Sequence, residues 1–111
     1  MKQETNTVQF SEIHSKGCND IEALERILHS VVGTATSKLR QKKLKTTEIS
    51  LRLEHDKSEN RLPLEFTISL MPTNSFMMIY TEVINHFKEH YTGGGIQGFM
   101  IQFDKNIVAS A

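Results

Sequence analysis

The sequence predicts an α+β fold of the ferredoxin-like type, βαββαβ, with a four-stranded antiparallel sheet and two helices on one face. Three observations predict it. Two adjacent segments, TTEISLRLEH and RLPLEFTISLM within residues 46–71, alternate apolar and polar residues with period two. Apolar residues recur every three or four positions in one stretch before that region and one after it. A further alternating segment lies near each end of the chain. Period two places one strand face on a core, whereas a three-to-four spacing places one helix stripe there. At 111 residues the chain reads as a single domain, 1–111, with its ordered core over residues 7–104. A domain of this size can bury about 65% of its extended-chain surface, enough for one core.

In chain order, TVQFSEI alternates weakly, with Val8 and Phe10 on the apolar side until Ile13 breaks the parity, and the turn-like Ser15-Lys16-Gly17 ends the strand. Asn19 with Glu22 has the spacing of a capping box, which satisfies amides that a helix start leaves unpaired. Ile21, Leu24, Leu28, Val31, Ala35 and Leu39 mark the buried stripe of a helix reaching Gln41. Gly33 inside it costs about 1 kcal/mol against alanine and implies close packing or a weak spot. Lys38, Arg40, Lys42, Lys43 and Lys45 crowd the helix end, where the dipole favours cations.

The central hairpin puts Ile49, Leu51 and Leu53, then Leu62, Leu64, Phe66, Ile68 and Leu70, on the core side. Pro63 has no amide to donate, so the second of these strands is an edge, or irregular, near its start. Pro72-Thr73-Asn74 stops that strand and offers a cap to a second helix with Phe76, Tyr80, Val83, Phe87 and Tyr91 inward. Gly93-Gly94-Gly95 breaks the helix, and a last strand carries Phe99, Ile101 and Phe103 on one side. The tail from residue 106 onward carries no signal. The element order implies two right-handed crossover units interleaved in one sheet, both helices on one face, and the other face open.

Composition excludes several classes. Thirteen basic residues balance 13 acidic ones, so no bulk field draws the chain to a polyanion. The single cysteine, Cys18, rules out an internal disulfide, and no Cys/His cluster has zinc spacing. No apolar run reaches the roughly 20 residues of a membrane span, and the start is too polar for a signal peptide. The expectation is a cytoplasmic protein without membrane association.

Candidate chemistry is sparse. Glu82, His86 and His90 are spaced to share one side of the second helix, but the HExxH pattern would need a glutamate where Phe87 stands, and zinc normally takes three or four ligands. Their plain reading is a solvated helix edge. The triple glycine lacks the Gly-Lys-Ser/Thr and following helix of a phosphate loop and reads as a helix stop. No pair of carboxylates picks out a general acid and base. The expectation is no catalytic residue, no metal and no cofactor in this chain.

What remains is the open sheet face. By parity it displays Thr7, Gln9, Ser11, Ser50, Arg52, Arg61, Thr67, Ser69 and Gln102. Hydroxyls, amides and arginines hold phosphates without reading sequence. Glu48, Glu54 and Glu65 share the face and oppose that role.

The segments TVQFSEI, SKLRQKKLKTTEISL, SLMPTNSFMMIYTEVINHFKEHY and IQGFMIQF, in this order and spacing, resemble the little-finger (C-terminal) domain of Y-family translesion DNA polymerases, in the branch of UmuC-like UV-damage repair proteins. The resemblance implies a non-catalytic module of SOS repair that grips template-primer DNA without sequence specificity, partly through main-chain amides of the strands. It implies Thr7, Gln9 and Ser11 beside the template backbone and Arg52 and Thr67 at outward hairpin positions; Arg61 joins them as an expected nucleic-acid contact from parity. Further partners implied are the polymerase catalytic core and a sliding clamp. Palm carboxylates that hold the metals of nucleotide transfer are absent from this chain. It departs from the family at Gln9, where relatives often carry glycine, at Gly93-Gly94-Gly95, which replaces a commonly basic segment, and in its neutral charge. The alternative is a protein-interaction module that docks through the sheet or an edge strand on a polymerase, clamp or repair partner.

Overall fold

Alternation in the central hairpin and the last strand is realised as an antiparallel sheet whose inward side chains are almost wholly buried. The computed structural model describes residues 7–109; the polar first six residues and the last two of the expected single domain lie outside the described residues. The elements are β1 (Val8–Cys18), α1 (Ile21–Gln41), β2 (Leu44–His55), a 3-10 turn (Lys57–Glu59), β3 (Leu64–Thr73), α2 (Phe76–His90), β4 (Ile96–Asp104) and β5 (Ile107–Val108). The sheet runs β1-β4-β2-β3, all antiparallel. Element order alone leaves open which strands are central; the pairing places β4 and β2 there and leaves β1 and β3 as edges.

The reason is visible in the side chains. Ile49, Leu51 and Leu53 of β2 and Phe99, Ile101 and Phe103 of β4 are at most 2% exposed, so both strands need covered neighbours on each side. Edge strands tolerate less burial, and Phe10 of β1 and Leu64 and Phe66 of β3 are only half-buried. Leu24, Leu28, Val31, Val32, Ala35 and Leu39 of α1 and Ile79, Val83 and Phe87 of α2 complete one continuous core on this face. At about 25 cal/mol per Å² of apolar area, this one-sided burial is the main stabilising term.

Several local expectations shift by a residue or more. Asp20, not Asn19, caps α1, its Oδ1 accepting from the Glu22 amide at 3.2 Å. Ser75 caps α2, its Oγ accepting from the Met78 amide at 3.4 Å, just past the expected Pro72-Thr73-Asn74. Ile79 is fully buried although it stood outside the predicted stripe, and Ile21 is 44% exposed although it stood within it. β1 does not end at Ser15-Lys16-Gly17 but resumes pairing at Cys18↔Ile96 after an irregularity. The tail pairs as well: Leu44↔Val108 and Lys45↔Ile107 continue the register of the β2-β4 ladder past Lys105 and Asn106. The Ala109 amide donates to the Lys43 carbonyl at 2.9 Å.

At the opposite end of the sheet the triple glycine is clamped rather than loose. Arg61 Nη1 donates to the Gly93 carbonyl (2.9 Å) and Nη2 to Thr92 Oγ1 (3.2 Å). The Gly95 amide donates to Glu59 Oε2 (2.7 Å), the Asp56 amide to the Gly95 carbonyl (2.8 Å), and the Gly17 amide to Asp56 Oδ2 (3.0 Å). Gly94 has φ +93°, a backbone conformation that favours glycine, and a Cβ there would press on the Arg61 guanidinium that clamps the turn.

Gly33 behaves oppositely. A Cβ on it would meet Phe76 Cε1 at 3.8 Å, ordinary contact, so the close packing expected there is not what requires glycine. Gly33→Ala should stabilise the domain by roughly 0.5–1 kcal/mol, whereas Gly94→Ala should destabilise it by about 1–3 kcal/mol; urea unfolding of the two variants measures both signs. Hydrogen bonds from the Ser58 amide, the Ser58 hydroxyl and the Gly17 amide hold the Asp56 carboxyl below its ordinary value of 3.8. A lowered carboxyl pKa adds stability that is present above the unfolded value and lost as pH falls through the folded one. Asp56→Asn should therefore lose less melting temperature than the parent chain between about pH 5 and about pH 3, as read by circular dichroism.

Candidate nucleic-acid interface

Because both helices cover one face, the side chains of opposite parity form a four-strand-wide surface open to solvent. Cross-strand pairing arranges them in rows. One row reads Gln9, Gln102, Ser50, Thr67 from edge to edge, and the next reads Ser11, Met100, Arg52, Glu65. A third brings Asp104, Glu48 and Ser69 together, with Thr7 Oγ1 donating to Asp104 Oδ1 at 3.1 Å.

Of the six residues singled out from sequence, five lie on this face. Gln9, Ser11 and Thr67 are exposed, Thr7 is half-buried, and Arg52 sits near the middle. Arg61 does not. It precedes β3, which begins at Leu64, and is turned to the glycine loop at the sheet end. Parity placed it on the face because the alternation of RLPLEF runs on through Pro63; the strand cannot start there, since Pro63 has no amide to pair.

The charges on the face are mutually engaged. Arg52 Nε donates to Glu54 Oε2 at 3.1 Å, and Arg52 Nη1 pairs with Glu65 Oε2. The Glu54 hydrogen bond, followed by the fields of Glu65 and Glu54, outweighs partial desolvation and holds the guanidinium charged more firmly than usual. Lys105 Nζ lies 3.1 Å from Glu48 Oε1. Asp104, an acid that parity reasoning passed over, accepts from Gln102 Nε2 at 3.0 and 2.9 Å as well as from Thr7. The centre of the face is thus an arginine held by two carboxylates, within a field of hydroxyls and amides.

One part of the face is apolar. Ile13, the residue that broke the parity of the first strand, is 80% exposed on it. It pairs with Gly98, which pairs in turn with Glu54; the missing side chain leaves a groove of about 460 Å³ lined by Ser11, Ile13, Arg52, Glu54 and Met100 among others. The signal that could have exposed this groove in the sequence is the glycine within an otherwise alternating last strand.

The histidine pair lies away from the open face, against the core-side ring of Phe66. Nδ1 of His86 and of His90 meets the carbonyls of Glu82 and His86 at 2.9 and 2.8 Å. Both rings stack on Phe66, with centroids 5.9 and 5.2 Å away. Among the described residues no group of three or more His, Cys, Asp or Glu is placed to hold a metal ion, and no helix is long and apolar enough to cross a membrane.

The sheet is closed on one side by the helices and presents hydroxyls, amides and paired charges on the other. The model of the impB/mucB/samB family C-terminal domain matches residues 9–110, and the chain belongs to that family, the little-finger domains of Y-family polymerases. No curated protein matches it in sequence. Among solved structures the fold is similar to that in a complex of the beta-clamp processivity factor and the little finger domain of PolIV, with TM-score 0.70, 10% identity, and coverage of 96% of this chain and 91% of that one. It is also similar to Dbh DNA polymerase in a post-insertion binary complex (TM-score 0.74, 11% identity, 92% of this chain) and in an insertion ternary complex (0.72, 11%, 96%). The chain spans 29% and 30% of those two polymerase chains.

The exposure of the Arg52 cluster makes it a poor source of stability, since solvent screens such pairs. Arg52→Ala should leave the urea unfolding midpoint nearly unchanged.

Proposed function

We propose that this chain is the DNA-holding little finger of a Y-family translesion polymerase of the UmuC-like branch, acting in SOS repair in the cytoplasm. In this reading the open face lies along template-primer DNA, and nucleotide transfer belongs to a palm outside this chain. The observation that carries the reading is the row Gln9, Gln102, Ser50, Thr67 beside Arg52, a neutral hydrogen-bonding strip across all four strands, in a member of the little-finger family. Phosphates are held by such groups and by free main-chain amides. Along the β1-β4-β2-β3 path the free strand amides lie at the outer edges of β1 and β3, because β4 and β2 have a partner strand on each side. Thr7 just before β1, Gln9 and Ser11 on β1 and Thr67 on β3 flank those two edges, with Arg52 between them. Arg61 is not part of this grip.

The Arg52 cluster tunes affinity downward, since Glu54 and Glu65 repel phosphate and occupy the guanidinium. Glu54→Gln with Glu65→Gln should raise affinity for a primed duplex by roughly tenfold at low salt, adding about one unit to the salt slope as Arg52 becomes free to contact a phosphate. Thr67→Glu should lower it. Fluorescence anisotropy with labelled primer-template DNA measures both, and unchanged affinity in both variants would sink the open-face grip.

A second reading is favoured by the apolar groove at Ile13, Gly98 and Met100, a feature of protein-binding surfaces. There the face docks on a polymerase core or sliding clamp. Co-elution with a purified clamp, abolished by Ile13→Asp, together with no detectable DNA affinity, would select it.

A further inference from the structure

The charge of the chain is neutral in sum but segregated in place. Residues 26–47 contain six basic residues and no acidic one, while the remainder carries seven basic against 13 acidic. This acid-free segment is the greater part of α1, the turn after it and the start of β2. It lies on the side of the domain opposite the open sheet face, because α1 covers the closed face.

The outward side of α1 is a polar strip. Ser30, Thr34, Ser37 and Gln41 recur at helical spacing and, with Lys38, line a shallow groove of about 550 Å³ that has no carboxylate in its walls. At its end Lys42 caps the helix and Lys43, at φ +58°, turns the chain into β2, both exposed. Lys38 Nζ stands 5.2 Å from the centroid of the Phe10 ring, which holds it at the rim of β1. Among the described residues the lysines in ion pairs are Lys88 and Lys105, so Lys38, Lys42 and Lys43 keep their charge for an outside partner.

The helix dipole accounts for part of this pattern only. It favours cations within the last turn, whereas Lys43 and Lys45 lie beyond the helix and acids are missing along four turns before it. An amphipathic surface helix ordinarily mixes both signs, since Glu-Lys pairs at i, i+4 add stability. Hydroxyls, an amide and unpaired lysines on one line are the groups that contact phosphates. With a rise of about 1.5 Å per residue, the strip from Ser30 to Lys43 is about 20 Å long, enough to follow roughly three phosphates of one strand.

We infer that the outward face of α1 and the lysine turn after it form a second nucleic-acid surface, which binds the phosphate backbone of DNA independently of sequence and separately from the open sheet face. The two surfaces look away from each other, so they engage different stretches of DNA. The charge complement fits a regularly spaced polyanion better than an acidic protein patch, because the lysines follow a line of hydroxyls, with the Gln41 amide among them.

Anisotropy titrations of a labelled random-sequence duplex against the full chain test this. The triple variant Lys38→Gln, Lys42→Gln, Lys43→Gln removes charge from exposed positions, and Thr34→Glu with Gln41→Glu places acids in the groove without touching the lysines. Both should weaken binding roughly tenfold or more at low salt, and the triple variant should lower the slope of log affinity against log salt by about 2 to 3. Unchanged slope and affinity in both would overturn the inference, as would an equal preference for polyglutamate as competitor. Thr67→Glu, run alongside, separates the two surfaces: weakening by Thr67→Glu alone leaves the open-face grip and overturns the helix surface, and the reverse result does the opposite.

Discussion

Burial on one side of two central strands is the constraint on which the rest of this domain depends. Ile49, Leu51 and Leu53 on β2 and Phe99, Ile101 and Phe103 on β4 must all leave water in the same direction. Two amphipathic helices supply enough apolar surface to cover that direction and none to cover the other. The open face is therefore a consequence of packing economy, since a second layer would need apolar residues at positions occupied by Ser50, Arg52, Thr67 and Gln102. A polar surface four strands wide and rich in hydrogen-bonding groups follows directly from the period-two pattern.

Electrostatics refines what such a surface can hold. An arginine on a hydrogen-bonding sheet would be a strong phosphate anchor, but Glu54 and Glu65 take its donors from a neighbouring position and the adjacent strand. The positive charge of the chain is concentrated elsewhere, along α1 and the turn into β2. A net charge of zero thus conceals two regions of different character, an open face balanced by internal pairs and an acid-free basic stretch over residues 26–47. Attraction of a polyanion depends on the local field within about 10 Å at ordinary salt, not on the sum over the chain.

The two ends of the sheet are closed by different means. At one end, β5 and Ala109 extend the β2-β4 ladder and tie the tail to the lysine turn. At the other, the Glu59 carboxylate, the Arg61 guanidinium and the Asp56 backbone amide pair with the backbone of the glycine turn, and the Asp56 carboxylate holds the Gly17 amide beside it. Backbone groups in a turn cost free energy when they are buried unpaired, and a glycine-rich turn adds a large entropy of ordering. Charged side chains from the hairpin loop offset both, which is why Arg61 is drawn to this end and away from the face.

The sequence by itself determined the element order, the one-sided core, the open polar face and the family, because alternation and helical spacing are local and survive without knowledge of contacts. It also placed Thr7, Gln9, Ser11, Arg52 and Thr67 on that face, since parity within a paired strand is a local property too. Only the tertiary structure decided that β4 and β2 are central, that Asp104, Gly98 and Ile13 join the face, and that Arg61 leaves it. The same holds for the carboxylate pairing of Arg52, the clamped glycines and the strand in the tail. Each of these rests on partners distant along the chain or on where a strand actually begins, and period alone carries neither.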